Sequence, residues 1–235
     1  NTALGYDTLG LNTGGSANTA VGYESLDTNT TGDANTAIGT NTLDANTTGN
    51  SNVAVGYYAL LSNTTASQNT AVGREALEAN TTGVNNVAVG YQTLDANTTT
   101  SQNTAVGNLA LGANTASDNT AVGMRALTTN TTGTENTSVG KDALKLNSTG
   151  NYNTAMGNDA LLNNLASNNT AFGYKALEAN TTGNSNIAIG REALADNTTA
   201  SNNLAIGYQA LYVATTAPNN TALGNYNLTA NTTGG

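Results

Sequence analysis

At 235 residues, with 9% charged and 5% aromatic side chains, one proline, and no tryptophan, cysteine or histidine, the chain lacks the composition of an ordinary globular domain. Its net charge of −9 arises from six basic and fifteen acidic groups; the basic ones are scattered, which argues against nucleic acid as a partner, since phosphate binding needs clustered Lys and Arg. Absent cysteine rules out a disulfide framework and a thiolate metal site, and no apolar run approaches the length of a membrane-spanning helix.

Asn, Thr, Gly and Ala dominate, a composition that in low-complexity form reads as disorder, but here the apolar residues recur at fixed places. The string Asn-Thr-Ala-Val-Gly, or a close variant, starts at Asn1, Asn18, Asn35, Asn52, Asn69, Asn86, Asn103, Asn119, Asn136, Asn153, Asn169, Asn186, Asn203 and Asn220. The spacing is 17 residues except twice, where it is 16. The two short copies lose a residue near Thr115-Ala116 and Leu165-Ala166, which marks that side of each coil as a turn. Fourteen copies of one unit predict an all-β parallel solenoid, residues 1–235 forming a single repeat domain. The chain starts inside the repeat without an initiator Met, and reads as a piece of a longer fibre.

Each repeat is a row of columns. Column one is always Asn, column five always Gly, column nine always Leu, and column three Ala except at Ser138. Column four is a medium apolar residue such as Val21, Ile38, Met156 or Phe172. Every charged residue falls in columns six, seven, ten, eleven, sixteen or seventeen, the mark of a surface that always faces water.

In chain order within a repeat, columns two to four predict a short strand with Thr19 and Val21 facing one way and Ala20 the other. Gly22 then supplies a positive-φ bend or a close backbone approach. A second short strand is expected to carry the Ala or Thr of column eight and the constant Leu. Asn-Thr-Thr-Gly closes the coil as a turn. At the parallel-strand spacing of about 4.8 Å the coils stack into a rod on the order of 65 Å long, with Asn residues hydrogen-bonding up and down the stack. Columns four and nine are expected to supply the buried apolar side chains, a thin core, while the Ala column offers a flat outer face for another chain. Leu127 is thus a core residue and Arg125 a freely replaceable one. Short helical pieces such as Arg74–Ala79 last less than two turns, so helix-turn repeats are the weaker reading.

Several constellations merit a chemical reading. Carboxylate pairs such as Asp27 with Asp44, Glu78 with Asp95, or Glu75 with Glu78 offer acid/base groups or a Ca²⁺ site in principle, but lie in water-facing columns, where plain solvation is the simpler reading. With no His or Cys for a triad, no enzyme activity, catalytic residue, cofactor or metal site is expected. Tyr6, Tyr23, Tyr57, Tyr91, Tyr174 and Tyr208 share column six, interrupted by Arg74, Asn108, Met124 and Lys141, and are candidate surface aromatic contacts, for sugars or simply for edge packing. Asn29, Asn46, Asn63, Asn80, Asn97, Asn130, Asn147, Asn180, Asn197 and Asn231 each open an Asn-x-Ser/Thr sequon in the turn and are candidate glycosylation sites.

The repeat, in copies such as Asn52-Val53-Ala54-Val55-Gly56 and Asn186-Ile187-Ala188-Ile189-Gly190 followed by x-x-Ala-Leu, resembles the head repeats of YadA-like trimeric autotransporter adhesins and related phage and viral tail-fibre shaft repeats. The resemblance covers the whole chain, though the Asn-Thr-Thr-Gly turn is a few residues longer here. It implies a left-handed β-roll, a homotrimer, and adhesion to glycan or extracellular matrix receptors at a cell or virion surface. The alternative function is an ice-binding or ice-nucleating solenoid, which needs an unbroken Thr array; column two is interrupted by Val53, Val87, Ile187 and Leu204.

Overall fold

A computed structural model describes residues 1–231. The chain divides into two compact units, Asn1–Asp118 and Asn119–Gly235, and each is a parallel β-solenoid. In the first, β1 (Thr2–Leu4), β2 (Thr19–Val21), β3 (Thr36–Ile38), β4 (Val53–Val55), β5 (Thr70–Val72), β6 (Val87–Val89) and β7 (Thr104–Val106) lie side by side in chain order. The second repeats the arrangement with β8 (Thr120–Val122), β9 (Thr137–Val139), β10 (Thr154–Met156), β11 (Thr170–Phe172), β12 (Ile187–Ile189), β13 (Leu204–Ile206) and β14 (Thr221–Leu223). Register is strict: Thr36 lies on Val53, Ala37 on Ala54 and Ile38 on Val55. No helix forms among the described residues.

One strand forms per coil, not the expected two. Where a second strand was expected, the chain makes successive turns, closed by bonds such as Asn46 N–H to the Leu43 carbonyl (3.1 Å). The reason is conformational: column nine sits in the left-handed region, with φ of 55° at Leu26 and 50° at Leu127, and column seven does likewise, with 48° at Glu24 and 51° at Asn41. A left-handed leucine costs on the order of 1–2 kcal/mol, and burial holds it there. Every column-nine leucine from Leu26 to Leu211 is fully buried. These turns still bond from coil to coil, Leu43 N–H donating to the Ala59 carbonyl at 3.1 Å.

The two faces of the strand are also exchanged relative to expectation. Thr19 and Val21 do share a side, but it is the outer one; the inner side is the alanine column, with Ala20, Ala37, Ala54 and Ala88 all fully buried. This inner column is Ala throughout except at Ser138, whose Oγ donates to the Ala143 carbonyl at 2.8 Å.

Buried amides fill the rest. Along column one, Asn35 N–H donates to Asn18 Oδ1 and Asn52 N–H to Asn35 Oδ1, each at 2.9 Å. Along column twelve, Asn46 Nδ2 donates to Asn29 Oδ1 at 2.9 Å and Asn63 Nδ2 to Asn46 Oδ1 at 3.0 Å. The two ladders meet at one carbonyl per coil: Gly49 O accepts from Asn35 Nδ2 (2.8 Å) and Asn46 Nδ2 (3.1 Å). A buried carboxamide that loses its partner costs about 1–3 kcal/mol, so both columns demand Asn. In the shortened coil the same clamp contracts, Asn164 Nδ2 reaching Ala166 O at 2.7 Å, two residues ahead where the full coil spans three. The deletion falls in the turn, as the spacing predicts.

Candidate interaction face

With alanine inside, columns two and four line the outer face of each sheet. Column four ranges from half-buried, as at Val21 and Phe172, to exposed, as at Ile38 (40%), Met156 (40%) and Ile189 (39%). Val53 and Ile187 of column two are open to a similar degree. In each unit this makes a contiguous strip of Val, Ile and Thr side chains along the strand stack, the kind of apolar surface that marks an interaction site.

Beyond the glycine bend, column six forms a second exposed row. Tyr6 and Tyr23 stack at 5.4 Å with their planes 9° apart. Arg74, which the sequence presents as an interruption, instead lies between Tyr57 and Tyr91, its guanidinium carbon 5.7 Å from each ring centroid. Arg191 does the same between Tyr174 (5.7 Å) and Tyr208 (5.6 Å), and Tyr226 meets Tyr208 edge-on at 5.0 Å. Each arginine is held by its neighbour: Arg74 Nε donates to Glu75 Oε1 (2.8 Å), and Gln92 of the next coil donates to Glu75 Oε2 (2.8 Å). The second unit copies this with Arg191, Glu192 and Gln209. Exposed cation–π contacts are worth about 0.5–1 kcal/mol each, so the row stitches coils together. Tyr57 also stacks on Tyr58, centroids 3.8 Å apart, so its ring packs against both Tyr58 and Arg74. Arg74 and Arg191 belong to the row, and Tyr226, of column seven, extends it at Tyr208.

The ten sequon asparagines do not form an outward stripe. Asn29, Asn46, Asn63, Asn80, Asn97, Asn130, Asn147, Asn180 and Asn197 are fully buried, and the nitrogen a glycan would occupy is committed to the ladder, as with Asn80 Nδ2 to Asn63 Oδ1 (3.1 Å) and Gly83 O (3.0 Å). Asn231 is half-buried, its Nδ2 on Asn220 Oδ1 at 2.7 Å, and the threonines completing its sequon lie outside the described residues.

Among the described residues no group of three or more His, Cys, Asp or Glu is placed to hold a metal ion. The column-ten carboxylates are nevertheless perturbed. Burial first, then the charges of Glu24 and Asp27, raise Asp44; burial, then Asp7, raises Asp27; burial, then Glu75, raises Asp95. A carboxylate whose folded pKa is raised destabilises the fold at neutral pH, and that penalty disappears as pH falls through the folded value. Asp44→Asn is therefore expected to raise the melting temperature slightly at pH 7 and to leave it unchanged below about pH 3, beneath the ordinary carboxylate value; a variant less stable than the parent at pH 7 contradicts the assignment.

Asp142 behaves oppositely. Burial pushes it up, but the hydrogen bonds and charge of Arg125, with Lys145 and Lys141, hold it below the usual range. Arg125 grips it with Nε at 2.7 Å and Nη2 at 2.6 Å. Arg125 is thus not freely replaceable: it neutralises a carboxylate whose side chain is 8% exposed.

No family model, curated protein or solved structure matches the chain.

Proposed function

We propose that this chain is a structural and adhesive segment of an extracellular fibre, at a cell or virion surface, that self-associates as a homotrimer through the outer faces of its sheets. One observation carries the reading: the larger strand side chains, Val, Ile, Met and Phe of column four, face outward while alanine takes the inside. A chain that places its apolar bulk on the surface gains by covering it with another copy. The likeness of the repeat to adhesin heads and tail-fibre shafts supports the trimer and attachment to glycan or matrix.

Ile38→Lys and Ile189→Lys, one in each unit, test the packing face. Both side chains already stand in water in the single chain, so the fold is expected to survive, with unchanged far-UV circular dichroism, while light scattering reports loss of the assembly. Unchanged mass in both variants contradicts the proposed face. The ice-binding alternative is tested by thermal hysteresis. It is disfavoured because the column-thirteen threonines spend their hydroxyls on the next coil, as Thr30 Oγ1 to Thr47 O (2.9 Å) and Thr47 Oγ1 to Thr64 O (3.0 Å). No hysteresis is expected; a measurable one shifts the function to ice.

A further inference from the structure

With no cysteine in the chain, no disulfide can tie one coil to another. Its ten tyrosines offer a different covalent tie. Tyr6 and Tyr23, in successive coils of the first unit, stack with centroids 5.4 Å apart and planes 9° from parallel, and both are exposed. In the second unit Tyr208 meets Tyr226 of the following coil edge-on, at 5.0 Å and 78°; Tyr226 is exposed and Tyr208 half-buried. Tyr57 and Tyr58 also touch, but within one coil, so a bond there would join nothing to the next. Among the described residues Tyr91, Tyr152, Tyr174 and Tyr212 have no tyrosine ring against theirs. Arg74 and Arg191 stand between Tyr91 or Tyr174 and the next tyrosine of the row.

We propose that Tyr6–Tyr23 and Tyr208–Tyr226 are oxidative cross-linking sites, at which a carbon–carbon bond between the two phenol rings staples one coil to the next. The co-reactant is hydrogen peroxide acting through an oxidant of the haem-peroxidase class. Each phenol gives up one electron and its hydroxyl proton, which leaves a pair of phenoxyl radicals. Their ring carbons ortho to oxygen join, and the hydrogen on each joined carbon moves as a proton to its own ring's oxygen, restoring both phenols. The two electrons and two protons removed reduce one hydrogen peroxide to two waters. Proximity decides which rings couple. Exposed side chains reorient in picoseconds to nanoseconds, so two oxidised neighbours meet before another molecule arrives. Groups held by a short tether see each other at an effective concentration in about the mM range, well above that of a dilute protein. The resulting bond ties coils as a disulfide would, by restricting the unfolded chain. Both pairs lie inside one chain, so the reading stands apart from the trimer.

Oxidation of the native chain with a haem peroxidase and limiting hydrogen peroxide tests this, by peptide mapping of the product that runs as a single chain on a denaturing gel. Expected is a mass lower by two hydrogens per cross-link. Peptides joining Tyr6 to Tyr23 and Tyr208 to Tyr226 should be at least about tenfold more abundant than any joined through Tyr91 or Tyr152. Tyr212 gives the sharpest comparison, since it is nearer to Tyr208 in sequence than Tyr226 is, yet has no tyrosine ring against it in the fold. Oxidised in denaturant, where the shorter loop closes more readily, Tyr208 should couple to Tyr212 in preference to Tyr226; in the native chain the order reverses. Tyr23→Phe combined with Tyr226→Phe removes only hydroxyls of exposed rings, so the fold is expected to survive while both products vanish. Native single-chain product that joins Tyr208 to Tyr212 as often as to Tyr226, or that uses Tyr91 or Tyr152 as often as the pairs, overturns the proposal. So does the absence of any single-chain cross-link. The map of the parent chain decides even should the double variant not fold.

Discussion

Gly90→Ala is expected to abolish the cooperative thermal transition of the first unit. Gly90 has φ of +137°, a conformation closed to side-chain-bearing residues, and a Cβ built there lies 2.8 Å from both the carbonyl carbon and the carbonyl oxygen of Gly107 in the next coil. The obstacle is backbone, which moves only if the coil spacing does. Strain of about 1–3 kcal/mol from the dihedral alone adds to a steric cost that the stack has no room to relax. A loss exceeding about 4 kcal/mol is the kind that identifies such a special site. Circular dichroism melts of the variant decide it: a folded protein within a few degrees of the parent means that the glycine column is not sterically required.

Leu127→Asp carries the second largest effect. Its side chain is fully buried, with its backbone at φ of +50°, and a carboxylate there finds no cation and no water. Burying it unpaired costs several kcal/mol, more than the roughly 2–5 kcal/mol expected for the cavity in Leu127→Ala. Arg125→Asp, two residues away, should cost less than either, because the group it abandons, Asp142, keeps Lys141 and Lys145 within 4 Å. Denaturant melts that place Leu127→Asp level with Arg125→Asp contradict the core assignment.

The period, the strand at columns two to four, the glycine bend and the turn were legible because each depends on a residue type with a distinctive backbone or bonding habit. The buried face was not legible from hydrophobicity: Val21 and its equivalents outrank Ala20 in apolar area, yet it is Ala20 that is fully buried. Variation held the better signal. Column three admits nothing beyond Ala and Ser138, as a cramped site must, whereas column four runs from Val21 to Phe172, as an open one can. The missing second strand left fainter traces, since a left-handed leucine has no signature in its own side chain; Asp7, Asn41, Asp142 and Asp159 in column seven, residue types that tolerate positive φ, hinted at it. Arg74 and Arg191 look like interruptions in a column of tyrosines, but Tyr-Arg-Tyr at one-coil spacing is itself the stacking pattern. The sequon row misled for a related reason: Asn-Thr-Thr-Gly is a turn on the outside of the chain path, but its Asn points inward to the ladder.

Exposed column four makes self-association the centre of the functional reading, and the mass of the purified, folded protein addresses it without any substitution. Light scattering coupled to size exclusion, read at several concentrations, is expected to give three times the chain mass of 23.5 kDa. A single species at 23.5 kDa, with a cooperative melt and no change on concentration, contradicts it and means that the ladders and the leucine column hold one chain folded with its apolar face in water.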